Sequence, residues 1–481
     1  MLFNSLTYLS FLSIVVIMFW NFSYRAKFYL VFLASLIFYG FWKIEFIFLL
    51  LFSTTLDWWI GIKIHESKIR NKRKYLILSL ICNLGLLFYF KYLIFFSKSA
   101  VGFANLLGFE IDPFIINIIL PLGISFYTFQ TISYVIDIYR NTIKPEKNYI
   151  IYACYVTFFP QLVAGPILRA REVVPQLKKV NLFKWDFIFT GARRVLYGLF
   201  LKVVIADNIS SLVDAGFDLP IETLSALDVW TLSFLFGFQI YFDFSGYSHI
   251  ALGSARMIGI NFPENFNYPY LSNSPKDFWR RWHISLSSWV RDYIYLPLSN
   301  IKFQNTSIGG LSRVTTNKKD FKPLFITWGL MGLWHGANWT FVLWGIYHAL
   351  FIFLYRKFLY LNNYFKLDTK INLGWFLTLP FIMLSWIPFR AYSIQDAFQM
   401  WSKVINPFSY NFLNLHENTY IITAILTFGI IIIYNLKILI DKNEYRFKKL
   451  MFVGDVIFVS VIFYLTFIFL RPINQFIYFQ F

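Results

Sequence analysis

Long apolar segments recur along the whole chain, at residues 3–20, 28–42, 44–62, 75–97, 114–138, 149–168, 183–206, 227–250, 323–355, 372–389, 419–440 and 451–470. About 20 apolar residues in a helix span the hydrocarbon core of a bilayer. The core offers the backbone no hydrogen-bonding partner, so segments of this length span it as α-helices. With allowance for paired or re-entrant pieces, the pattern predicts on the order of ten to twelve transmembrane helices. Trp, Tyr and Phe crowd the segment ends, as interfacial anchors do. No repeat, low-complexity tract or linker interrupts the plan, which predicts a single membrane domain over residues 1–481.

Two stretches depart from simple spans. Segment 149–168 contains Pro160, Gly165 and Pro166, which interrupt helical hydrogen bonding. Broken backbone at membrane depth survives only inside protein or beside a water-filled cavity. This segment is therefore expected to re-enter on the cytoplasmic side and help line a cavity. In 274–298, Trp282, Leu286, Trp289 and Tyr293 recur at helical spacing, while Arg280, Arg281, His283, Arg291 and Asp292 fill the other faces. That segment is too charged to cross lipid and reads as a helix at the interface or in a cavity mouth.

Composition agrees with the pattern: 58% of residues are hydrophobic and only 14% charged, where a soluble domain carries roughly a quarter. The formal charge of +19 comes from 44 basic residues against 25 acidic ones, and the basic residues concentrate in short loops such as 65–74. That distribution is the positive-inside pattern rather than a nucleic-acid surface. Arg25 and Lys27, the cluster from Lys63 to Lys74, and Arg140, Lys144 and Lys147 fit the cytoplasm if the N-terminus lies outside. The loop 98–113, with Lys98 against Glu110 and Asp112, then suits the outer face, whereas Arg169, Arg171, Lys178 and Lys179 make both flanks of 149–168 basic. The first 20 residues lack a charged start and a small-residue cleavage site, so they read as a retained span. Cys82 and Cys154, both in apolar surroundings, exclude a disulfide framework.

Against this background the ionisable residues inside apolar segments are the functional candidates, because burying them costs free energy. His335 stands within 323–355, with Asn338 and Trp339 three and four residues on and expected to share its helical face. Gly329, Gly332 and Gly336 remove bulk along the same segment, permitting close helix packing or an acyl chain alongside. Asp243 and His249 form a second group, and His283 lies among the arginines of 274–298. His65 and His416 read as solvated, His348 with Trp344 as packing, and Asp57 and Asp137 as segment-end anchors or structural pairs. No HExxH-like spacing points to a metal, and the phosphate-loop, dinucleotide and serine-hydrolase motifs are missing.

These residues lie in motifs that resemble the membrane-bound O-acyltransferases, and within them the bacterial alginate O-acetyltransferase (AlgI-like) type. The matching pieces run in order from about 121 to 391: "PLGISFYTFQTISYVID", "FFPQLVAGPI", "DFSGYSHIALGSARMIGINFPENFNYPY", "DFWRRWHISLSSWVRDYIYLPL", "GLWHGANWTFVLWGIYHAL" and "WIPFRA". The resemblance implies an all-α ring of membrane helices around a thin central funnel. It matches His335 to the family's membrane histidine and His283 to the second polar position brought toward it. It implies acyl transfer to a hydroxyl, with His335 as general base, His283 orienting or sharing the proton, and Asn338 holding His335 or substrate. Acetyl-coenzyme A is then the donor, no cofactor or metal is bound, and Arg280 and Arg281 are candidates for the donor's phosphates. The expected acceptor is an extracytoplasmic polysaccharide pathway, reached from the bacterial inner membrane with a separate esterase-like acetyltransferase as partner. D-alanyl transfer to teichoic acid, lipid or protein acylation, and a transporter or scaffold without chemistry are the rival readings.

Overall fold

The computed structural model describes residues 1–112, 117–162, 165–179, 181–300, 321–364, 374–442 and 444–470. Among the described residues there is no β-strand, and each apolar segment carries helix. Five helical stretches among the described residues are long and apolar enough to cross a bilayer: Phe46–Glu66, Ile69–Leu106, Trp185–Phe217, Trp339–Leu361 and Glu417–Leu436. Leu6–Asn21 and Gly454–Phe469 are apolar but shorter. Other apolar helices are shorter still or carry more polar residues; Tyr149–Thr157 has nine residues, and its last seven are buried. Among the described residues, wider π-helical turns interrupt three helices, at Phe88–Tyr92, Phe200–Ala206 and Arg291–Tyr295.

The chain divides into two compact units. Among the described residues, the first comprises Met1–Val195 with Ser248–Pro263, and the second comprises Leu196–Tyr247 and those from Glu264 onward.

In the first unit the helix of segment 149–168 stops at Thr157, where Phe158 takes an extended ψ of 110°. Residues 159–162 are turns, and 158–162 are buried, so the proline-rich piece is a break inside protein. The Tyr155 carbonyl, beside the break, accepts from the side-chain amides of Gln130 and Gln161, each at 2.7 Å. The Phe159 amide donates to Ser35 Oγ at 3.1 Å. Side chains thus satisfy backbone groups that lipid would leave bare. Asp57 sits in mid-helix and is fully buried, not at a segment end. Its carboxylate accepts from Ser79 Oγ at 2.6 Å and from Asn83 Nδ2 at 2.8 Å, while Asn83 Oδ1 accepts from Ser53 Oγ. Neutral donors therefore replace water around an intramembrane carboxylate.

The second unit holds a helical hairpin, Phe321–His335 followed by Trp339–Tyr364. Its arms touch backbone to backbone. A Cβ at Gly332 would overlap the Phe341 carbonyl, and one at Gly345 would overlap the Trp328 carbonyl. The same unit buries an ion cluster at the π-helical turn: Lys202 Nζ lies 2.7 Å from Asp243 Oδ1 and 2.7 Å from Asp207 Oδ1. Nearby, Gly246 lies against the Gly198 carbonyl and Lys202, which brings the two helices together at that level.

Two outcomes follow from this packing. Gly332→Val and Gly345→Val should each lower stability by about 1–3 kcal/mol or more through overpacking. Gly85→Ala and Gly429→Ala, with open space at Cβ, should be neutral or slightly stabilising; thermal unfolding in detergent compares them. Lys202→Met should cost about 3–5 kcal/mol by removing the cation that Asp207 and Asp243 share. Adding Asp207→Asn and Asp243→Asn should restore most of that loss in the same assay.

Candidate functional site

His335 is the last residue of its helix, and the chain turns through Gly336 and Ala337 before the next helix begins at Trp339. A Cβ on Gly336 would overlap the Phe341 ring, so glycine lets the turn close tightly. This break removes the helical face that was to carry Asn338 and Trp339 beside His335. Asn338 is exposed and caps the second helix instead, its Oδ1 accepting from the Thr340 amide at 3.1 Å. Trp339 is likewise exposed. His335 itself is 3% exposed and stands edge-on to Trp334, Trp344 and Phe389, with ring centroids 5.0, 4.9 and 5.4 Å away.

His283 comes from a different local device. The helix Pro275–Arg281, started by Pro275 and capped by Ser274, ends at Trp282, and a new helix begins at Ile284. His283 joins them in the left-handed region, at φ 40° and ψ 58°, which is unusual for a residue with a side chain. A facing loop holds it there: the Ile284 amide donates to the Asn265 carbonyl, and the Asn267 amide donates to the Arg281 carbonyl.

Hydrogen bonding sets the tautomer of His283. Asn265 Oδ1 accepts from the Ser285 amide at 3.2 Å and from Ser285 Oγ at 2.9 Å. A backbone amide can only donate, so that side-chain atom is the oxygen. His283 Nδ1, 3.2 Å from the same oxygen, must therefore carry its hydrogen and donate. Burial pushes the imidazole down to about 3 and keeps it neutral. The lone pair is then on Nε2, which has no hydrogen-bond partner among the described residues. Asn265, which holds His283, is the residue that sequence reasoning missed; it is one of three asparagines in "NFPENFNYPY", and nothing in the sequence singles it out.

The two histidines meet around one indole. Trp334 lies 6.3 Å from His283 and 5.0 Å from His335, centroid to centroid. Residues 52 positions apart in sequence thus share one buried aromatic cluster, completed by Phe244 and Phe266 against His283. The other candidates have different surroundings. Asp243 is engaged by Lys202. His249, in the first unit, accepts from Arg194 Nε at 3.2 Å through Nδ1. Arg281 pairs with Asp277 at 3.0 Å, and Arg280 is exposed. Among the described residues no group of His, Cys, Asp and Glu could hold a metal ion.

Comparison with known proteins bears directly on this arrangement. Residues 144–395 match the model of MBOAT, the membrane-bound O-acyltransferase family, and that span contains both histidines. A probable alginate O-acetylase AlgI of Azotobacter vinelandii is 36% identical over 84% of this chain and 78% of its own. Its counterpart in Pseudomonas aeruginosa is 38% identical over 78% and 69%. A peptidoglycan O-acetyltransferase of Helicobacter pylori is 36% identical over 76% and 72%. The motifs, the helical membrane architecture and these matches agree: the chain belongs to the membrane-bound O-acyltransferase family.

Proposed function

We propose that this O-acyltransferase takes an acetyl group from acetyl-coenzyme A and passes it toward an extracytoplasmic polysaccharide, with His335 as general base. The observation that carries the reading is the shared cluster of His335 and His283 around Trp334. Ester formation needs a base at the attacking hydroxyl. An imidazole is suited to that at cellular pH. The hydroxyl proton moves to His335 as its oxygen bonds to the thioester carbon; the C–S bond then breaks, and the thiolate recovers the proton. His283, neutral with its lone pair on Nε2, orients His335 or the acceptor hydroxyl by accepting a hydrogen bond. Exposed Arg280 is available to the donor's phosphates at the surface, since guanidinium groups suit phosphate.

The similarity to alginate and peptidoglycan O-acetylating proteins supports an envelope polymer as the final acceptor. A separate esterase-like acetyltransferase outside the membrane completes the route in this reading. The chain works in the inner membrane with its N-terminus outside, as the loop charges favour.

Acetyl-labelled coenzyme A thioester and the purified protein, with an acceptor extract, provide the test. Wild type should release thiol and transfer label, and His335→Ala should lower turnover by roughly 10²–10⁴-fold, the usual contribution of acid–base catalysis. His283→Ala should lower it less, with His283→Gln recovering part of the loss. Undiminished transfer by a well-folded His335→Ala protein would remove the base assignment. Carrier-bound D-alanine accepted in place of acetyl-coenzyme A would replace the donor.

A further inference from the structure

A third histidine lies one ring beyond His335. Trp344, which walls His335 at 4.9 Å, also stands 4.8 Å from His348. His348 is fully buried and enclosed by Trp279 at 5.0 Å, Trp328 at 5.4 Å and Phe278 at 6.4 Å. Among the described residues, neither ring nitrogen of His348 has a hydrogen-bond partner, and neither does Nε1 of Trp279 or Trp344.

Other buried side-chain atoms, among them Tyr127 Oη and Tyr152 Oη, also lack a partner among the described residues, but here four such atoms gather around one imidazole. Asp57, the Tyr155 carbonyl and His283 Nδ1 each have partners in place. A buried polar atom without a partner costs free energy. Phenylalanine would occupy similar volume at 348 with no polar atom, so packing alone favours phenylalanine there. The unpartnered set is also chemically one-sided. A neutral imidazole offers one N–H and one lone pair, and an indole nitrogen only donates. Three N–H donors beside one lone pair call for an acceptor oxygen.

We propose that His348, Trp344 and Trp279 form the subsite that receives the acyl carbonyl oxygen of the thioester donor. The proposal rests on the acyl-thioester reading above and deepens it. As the acceptor oxygen bonds to the acyl carbon, the carbonyl electron pair moves onto that oxygen, and preorganised donors in a dry site stabilise the charge. When the C–O double bond reforms, the C–S bond breaks and the thiolate takes the proton held by His335. The donor set gains and loses no proton through the cycle. Trp344 has the further role of touching both His335 and His348, which keeps the carbonyl subsite beside the base.

Two non-cleavable coenzyme A derivatives test this on the full-length protein in nanodiscs. S-acetonyl-coenzyme A keeps a carbonyl; S-propyl-coenzyme A has none. Wild type should prefer the acetonyl derivative by about tenfold, the discrimination expected from one or two hydrogen bonds. In His348→Phe the preference should fall toward onefold and acetyl transfer should slow by roughly 10²-fold, while the unfolding temperature holds or rises. Trp344→Phe, which keeps a ring and removes the N–H, should move the preference the same way. An intact preference with normal transfer in either folded variant would overturn the subsite. If wild type binds neither derivative, the coenzyme A reading itself falls, and the subsite with it.

Discussion

No side chain fits between the arms of the helical hairpin Phe321–His335 and Trp339–Tyr364 where Gly332 meets the Phe341 carbonyl and Gly345 meets the Trp328 carbonyl. Everything proposed for the site depends on that contact. It fixes the register of two helices that lipid alone would not hold together, since apolar side chains gain little by leaving hydrocarbon for one another. With the register fixed, His335 at the end of one arm and His348 in the middle of the other both pack against Trp344. The turn at Gly336 closes the hairpin tightly enough for His335 to remain buried although its helix ends there.

Polar groups inside this protein fall into two kinds, and the difference is physical. Asp57 with Ser79 and Asn83, and Lys202 with Asp207 and Asp243, compensate one another within reach of a hydrogen bond or ion pair. Such clusters hold helices together where water is missing. Among the described residues, the aromatic cluster of the second unit instead leaves His283 Nε2, both nitrogens of His348 and the indole nitrogens of Trp279, Trp344 and Trp386 without protein partners. Polar atoms held at that cost, beside a left-handed His283 backbone, support the proposed site.

Much of this was legible in the chain itself. Hydropathy located the helices because a bilayer imposes one rule on every segment, and Pro160 announced the break near Phe158 for the same reason. Quoted motifs carried His335 and His283. The turn after His335 was not legible: apolar residues continue through it, so 323–355 read as one run and Asn338 was placed on a face that does not exist. Asp57 read as a segment-end anchor or structural pair, and its partners Ser79 and Asn83 were not legible because they are more than twenty residues away in sequence. Asn265 and the surroundings of His348 were hidden likewise, since tertiary contacts alone reveal which buried polar atoms are paired.

The central claim is that acyl transfer takes place in the aromatic cluster of His283, His335 and His348. An experimental structure of the protein with S-acetonyl-coenzyme A bound tests it most directly. The account predicts the acyl end among these residues, its carbon within reach of a hydroxyl held at His335 and its carbonyl oxygen hydrogen-bonded by the Trp344 or His348 side. An acyl end ordered elsewhere, with His335 and His348 packed as they are here, would contradict it.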